Sequence, residues 1–330
     1  MASPWLLVLL AGALDRWIGD PRRCPHPVQV MGVVIERLRS AAEAWAGDRP
    51  RPLRLAGTGI TLVLVAGSLA AGWGVETLAR MRPPLGLPLL LLGLASALAG
   101  GSLRQAVQQV LAALPDEALA RQRLAWIVGR DVDHLDTAGM LRAAAETAAE
   151  NAVDGLFAPL LWMLIGAALA SHWPAAPGPL ALAWTFKAAS TLDSMLGYRR
   201  GRLRWLGTAG ARLDDLLTWP AARLVALSLP LAAGRAGQTL ALWRQALVDG
   251  AGDPSPNAGV SQAAYAHAAG VRLGGANRYG GEWRSKPVLA AGQPPADQAG
   301  VMRILRLTDR LELIWLLVPL ALSMPALAIQ

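Results

Sequence analysis

Between Gly129 and Gly155 the chain reads GRDVDHLDTAGMLRAAAETAAENAVDG, and within it Glu146, Glu150 and Asp154 recur at every fourth position. On a helix that spacing lines three carboxylates along one face. Like charges so placed repel, and two sources could offset them: Arg142 from one turn earlier, or a magnesium ion held by oxygen ligands. Asn151 adds an amide beside them. The alanine-rich run is a strong helix former, with Thr137 placed to act as its N-cap.

Four further strings carry polar groups that could bind or react. KAASTLDSMLGY places Lys187, Asp193 and Tyr198 in or at the end of an apolar stretch, where ionisable groups are costly and face a protein cavity. Snorkelling of Lys187 toward an interface is the plainer alternative. ARLDD follows, with Arg212 and the adjacent pair Asp214 and Asp215, which cannot share one helical face. Ser255, Asn257 and Gly259 in SPNAG, and Gly274, Gly275, Asn277 and Tyr279 in LGGANRYGG, combine amides with glycines that let backbone N–H groups approach oxyanions. Near the start, Asp15, Asp20 and His26 sit among Gly19, Pro21, Pro25 and Pro27, as a cation or substrate site or as a helix-capping turn.

These strings interrupt a chain of apolar runs. A spanning helix needs about 20 apolar residues, and candidates fall near 55–75, 85–103, 156–173, 180–196 and 313–329. The runs at 5–14 and 219–233 are short of a span. Arginine accumulates on the cytoplasmic side of membrane proteins. Residues 15–54 and 197–218 carry eight and five arginines, and 234–310 carries eight plus Lys286, so all three are expected to be cytoplasmic, as is 104–155. With both its flanks inside, 219–233 is expected to be re-entrant, interfacial or buried. Residues 250–300, rich in Gly, Pro, Asn and Ala, read as irregular structure.

The expected fold is all-α: a polytopic integral membrane protein whose 330 residues form one membrane-embedded domain with cytoplasmic helical and irregular segments. Composition agrees, with 54% hydrophobic and only 16% charged residues. The net charge of +8 is nearly all arginine, Lys187 and Lys286 being the only lysines, and cytoplasmic loops account for much of it. Nucleic acid is excluded as a partner because no basic patch with interleaved aromatics and no nucleic-acid module occurs. The single cysteine, Cys24, excludes intrachain disulfides and cysteine-based metal clusters. P-loop and dinucleotide fingerprints are missing, and no basic residue precedes the first apolar run, as a signal peptide would require.

Taken in order, GDP with PHPVQVMG, GRD with ENAVDG, TLDSMLGY, ARLDD, and SPNAG with RLGG and NRYGG, the chain resembles the adenosylcobinamide-phosphate synthase family of cobalamin biosynthesis over almost its whole length. Ser190, Gln262 and Trp219-Pro220-Ala221 depart from that family's usual pattern. The resemblance implies a membrane ligase of the inner membrane, active face cytoplasmic. It would use ATP and Mg2+ to condense adenosylcobyric acid with 1-amino-2-propanol or its phosphate, and could associate with other late cobalamin enzymes. Amide formation from a carboxylate is uphill without activation, so an acyl phosphate is implied, with magnesium offsetting oxyanion charge.

By the same resemblance, Glu146, Glu150 and Asp154, or Asp214 and Asp215, would hold magnesium. Arg130, Arg212 and Lys187 would neutralise phosphate or carboxylate, and Asp193 or His26 would accept the amine proton. Asp20, Asn151, Tyr198, Ser255, Asn257, Gly259, Gly274, Gly275, Asn277 and Tyr279 would contact substrate or phosphate. A transporter with a midplane polar site around Lys187 and Asp193 is the alternative. An intramembrane prenyltransferase would need N-D-x-x-D motifs that are missing.

Overall fold

A computed structural model of the protein describes residues 3–19 and 26–327, the side chains of 324–327 excepted. In chain order the helices are α1 (Pro4–Ile18), α2 (Pro27–Ala46), α3 (Pro50–Met81), α4 (Pro83–Ala95), α5 (Gly100–Ala113), α6 (Glu117–Leu124), α7 (Thr137–Ala152), α8 (Ala158–His172), α9 (Pro179–Leu196), α10 (Leu203–Leu206), α11 (Thr208–Ala232), α12 (Thr239–Gly250) and α13 (Ala258–Ala269). Strands β1 (Leu273–Tyr279) and β2 (Glu282–Leu289) follow, then α14 (Gln298–Leu327). Two compact units emerge. One takes in the described residues up to Ala99, Ala158–Thr218 and those from Val318 on; the other takes in Gly100–Phe157 and Trp219–Leu317.

Among the described residues two helical stretches are long and apolar enough to cross a membrane: Pro50–Met81 and Thr137–His172. The run expected to span at 85–103 is instead α4 and α5, bent by 41° at the break between them; counted as one span, the pair makes a third. The run at 180–196 lies within α9, and the described part of the run at 313–329, as far as residue 327, lies within α14. Residues 219–233 form no separate segment: all but the last complete the 25-residue α11, which also carries Asp214 and Asp215. Asp214 and Asp215 thus stand in the opening turns of a long helix.

In the first unit, α2, α3 and α9 close over a core that includes Ile35, Leu53, Ala188, Leu192 and Leu206. The helices approach through glycines. A Cβ at Gly57 would lie 1.9 Å from the carbonyl oxygen of Leu206, and one at Gly72 would lie 2.7 Å from the Cα of Ala181. Small residues allow that contact where lipid supplies no hydrophobic drive between helices. Gly57→Ala should therefore lower stability by about 1–3 kcal/mol, the usual cost of overpacking. Gly59→Ala, which meets nothing within 4 Å, is the matched control and should be neutral or stabilising. Thermal unfolding in detergent compares them, and equal melting temperatures would contradict the close-packing account.

Capping in this unit also crosses between elements. The N-cap of α9 is Gly178, which has no side chain to offer. Glu76 of α3, 5% exposed, reaches over instead and accepts the N–H groups of Gly178, Leu180 and Ala181 at 2.8, 2.7 and 3.1 Å. Three orphan donors and the positive end of the helix dipole are satisfied by one carboxylate.

The second unit corrects the irregular reading of 250–300. Its alanine-rich part is α13, and LGGANRY pairs antiparallel with EWRSKPVL as a two-stranded sheet, so the described residues are helical with one hairpin. Gly280 and Gly281, at φ +57° and +85°, make the two-residue turn. Gly275, at φ +93°, sits at a bulge between Gly274 and Ala276. The N-cap of α7 is Asp136 rather than Thr137: its Oδ1 accepts the Gly139 N–H at 2.7 Å.

Candidate functional site

The hairpin is gripped by groups from the GRD string and from α7. The Asp131 carboxylate accepts the N–H groups of Gly280 and Gly281 at 3.0 and 2.8 Å. The Gly281 N–H first, then Gly280 and the Arg278 charge, hold its pKa below the usual carboxylate range. The neighbouring Arg130 turns inward. Its Nη2 lies 2.5 Å from Oε2 of Glu146, with side-chain exposures of 9% and 1%, and its Nη1 donates to Oδ1 of Asn277 at 2.6 Å. Helical spacing puts Arg142 one turn before Glu146, where its two terminal nitrogens donate to the carbonyls of Gly274 and Ala276 at 2.8 and 2.9 Å. Glu146 accepts the Gly274 N–H at 2.8 Å. One buried carboxylate thus orders two arginines and a strand.

That use of Glu146 bears on the acidic stripe. Its oxygens meet a guanidinium and an amide, and Glu150 accepts from Nε2 of Gln262 at 2.7 Å. Asp154 falls in a π-helical turn, Val153–Phe157, that interrupts the regular spacing. Asn151 donates back to Thr147 on its own helix at 2.8 Å. Among the described residues no three His, Cys, Asp or Glu side chains gather in a way that could hold a metal ion.

The SPNAG string caps α13. Ser255 Oγ accepts the N–H groups of Asn257 and Ala258 at 3.3 and 3.2 Å, and Asn257 Oδ1 accepts from Arg223 at 2.7 Å. Gly259 serves packing, since a Cβ there would lie 2.3 Å from the Gly250 carbonyl oxygen. Just before the string, Asp253 (3% exposed) pairs with Lys286 of β2 at 2.9 Å. Burial opposes the lysine's charge, but Asp253 and then Glu150 raise its pKa above the ordinary value. The arginine of the Gly275 bulge is Arg142, whose Nη1 would stand 3.1 Å from a Cβ at 275. Tyr279 lies under the Arg284 guanidinium, 5.7 Å from the ring centroid.

In the first unit a second, acidic group forms where α9 ends and α11 begins. Burial, then the charges of Asp193 and Asp215, push the Asp214 carboxyl up to about 7, while Lys187 and the Thr218 hydroxyl pull the other way. Burial also raises Asp215. Close approach is again a matter of glycines: Cβ atoms at Gly197 and Gly210 would lie 2.0 Å from Asp193 Oδ1 and 2.8 Å from Leu192 Cβ. Arg212 and Tyr198 point outward and are exposed, with Arg200 stacked 5.0 Å from the Tyr198 ring. His26 caps α2, its Nδ1 accepting the Val28 N–H at 3.3 Å. Asp20 lies outside the described residues.

Sequence reasoning singled out Arg130, Asn277, Asp193 and Asp214 but passed over Asp131, Asp253, Lys286, Arg223 and Gln262. The one usable signal was Lys286, one of two lysines in an arginine-rich chain. No solved structure matches the chain. The family described as CobD/Cbib protein matches residues 8–308. The chain is 40% identical to cobalamin biosynthesis protein CobD of Synechocystis sp. over 92% of its length and 87% of the relative. It is 37% identical to cobalamin biosynthesis protein CbiB of Salmonella choleraesuis over 96% and 94%, and 37% identical to cobalamin biosynthesis protein CobD of Citrobacter koseri over the same shares. Matched along nearly its whole length, hairpin cluster and acidic group included, the chain belongs to the CobD/CbiB family of cobalamin biosynthesis proteins.

Proposed function

We propose that the protein is a membrane-embedded adenosylcobinamide or adenosylcobinamide-phosphate synthase, which joins adenosylcobyric acid to 1-amino-2-propanol or its O-phosphate through an amide. The observation that carries this reading is the assembly of Arg130, Arg142 and Asn277 around the single carboxylate of Glu146. Two guanidiniums against one carboxylate leave positive charge beside amide groups, which suits a carboxylate or phosphate substrate.

The family resemblance adds ATP and magnesium. Asp193, Asp214 and Asp215 fit a cation: they crowd negative charge that burial has already made costly. Since magnesium keeps several waters and takes one or two carboxylates plus substrate phosphates, a group without three converging protein ligands suffices. When bound, ATP supplies the activation that an unreactive carboxylate needs, and magnesium offsets phosphate charge. The chain's own part is to orient the anionic substrates with Arg130 and Arg142 and to keep the acidic group poised.

Detergent-purified protein incubated with adenosylcobyric acid, either form of the amino alcohol and Mg-ATP should release ADP and yield the amide by mass spectrometry. Folded protein that makes no amide with either amino alcohol would sink the ligase reading and bring transport forward.

A further inference from the structure

The hydrogen-bond pattern of the hairpin cluster is incomplete in one direction. Asn277 is 2% exposed, and its Oδ1 accepts from Arg130 Nη1 at 2.6 Å and from Arg142 Nη2 at 3.2 Å. Those two guanidiniums settle the amide's orientation, because a flipped amide would set NH2 against two donors. Its Nδ2 is therefore fixed, buried, and without an acceptor among the described residues. The side chain it touches repeats the defect: Nε of Arg142 is also buried without an acceptor, the nearest carboxylate oxygen, Oε1 of Glu146, lying 3.9 Å away. That separation is too long for a hydrogen bond.

A third buried atom of the cluster, Oε2 of Glu146, also lacks a hydrogen bond but is met by the Arg130 charge at 2.5 Å, so the two groups left unanswered are donors, and leaving them so costs stability. What is missing is an acceptor. Its charge follows from the neighbours, since Arg130 and Arg142 bring two positive charges and Glu146 one negative. The Arg142 side chain is 28% exposed although its Nε is not, so the cluster lies near the surface on that side. The backbone there is also bare: Gly275 carries no side chain and stands beside the guanidinium.

We infer that Asn277 Nδ2 and Arg142 Nε are the donors of an oxyanion subsite that takes a phosphate or carboxylate oxygen of a substrate. Naming that ligand a substrate rests on the synthase reading; the subsite itself stands on the unmet donors. Arg142 is a binding group here, beyond its role in holding Gly274 and Ala276.

Binding of inorganic phosphate and of acetate to the full chain in detergent, each at constant ionic strength against chloride, tests the subsite without requiring turnover. Phosphate binding that exceeds acetate points to a phosphate-bearing substrate, and the reverse to the corrinoid carboxylate; either supports the subsite. Asn277→Asp keeps the acceptor facing both arginines and turns the free donor into an anion, so affinity should fall at least about tenfold. If that variant does not fold, Arg142→Lys, which removes Nε, carries the same expectation.

Unchanged affinity in a folded variant would overturn the proposal. So would wild-type protein that binds neither anion, which would leave a buried water as the missing acceptor. Anion binding lost in the variant while wild type forms no amide would keep the subsite and drop the synthase. Amide formation together with undiminished anion binding in the variant would do the opposite.

Discussion

Arg130→Ala should destabilise the protein by about 3–5 kcal/mol, the cost of stranding one member of a buried ion pair. The expectation comes from burial. Glu146 is 1% exposed and Arg130 9%, at 2.5 Å, so neither charge has water to fall back on. The loss also removes a donor from Oδ1 of Asn277. Arg142 compensates poorly, with its Nε 3.9 Å from the carboxylate and its terminal nitrogens already given to carbonyls of β1.

Glu146→Gln separates charge from shape, because a glutamine oxygen can still accept the Gly274 N–H. In that background Arg130→Ala should cost much less, and the coupling between the two positions should reach 1–3 kcal/mol, in the range roughly seen for contacting pairs. Thermal unfolding of the four proteins of the cycle, in detergent, measures it. A single-variant loss below about 1 kcal/mol, or equal losses in the two backgrounds, would show that the pair is screened and that the hairpin is held by its backbone contacts.

The contrast between these residues shows what was legible in the chain. The relation of Arg142 to Glu146 is local, fixed by helical spacing, and could be read directly. Arg130 lies across a loop from α7, and Asn277 is 147 positions from Arg130, so their meeting is a tertiary event with no periodic trace. Helix α3 was legible because its apolar run is long and uninterrupted. Helix α13 was not, because AGVSQAAYAHAA is buried all round and so has no polar face to mark a period. In the hairpin, Gly274 and Gly275 masked the alternation of β1, although Gly280-Gly281 between two extended runs is a recognisable turn signal. Gln262, noted above only as a departure from pattern, has a clear local use: its amide meets Glu150.

The acidic group yields the second large effect, through pH. Asp214 sits in the folded protein with its carboxyl pushed up to about 7, first by burial and then by Asp193 and Asp215. An unfolded aspartate titrates near ~3.9. A carboxyl raised on folding is neutral at low pH in both states, so its contribution is most favourable below about 4 and is lost as pH rises through about 7. The separation of the two titrations corresponds to roughly 4 kcal/mol at most. Asp214→Asn should therefore be more stable than the parent at pH 8 by about 2–4 kcal/mol, and the gap should close toward pH 5. Magnesium should act in the same direction on the parent alone, since a divalent cation among these carboxylates removes the repulsion that the asparagine also removes. Melting temperatures of both proteins from pH 5 to 8, with and without magnesium chloride, test each part. A parent whose stability relative to the variant stays flat across that range would remove the electrostatic account of the acidic group. Magnesium stabilising both proteins equally would place the cation elsewhere.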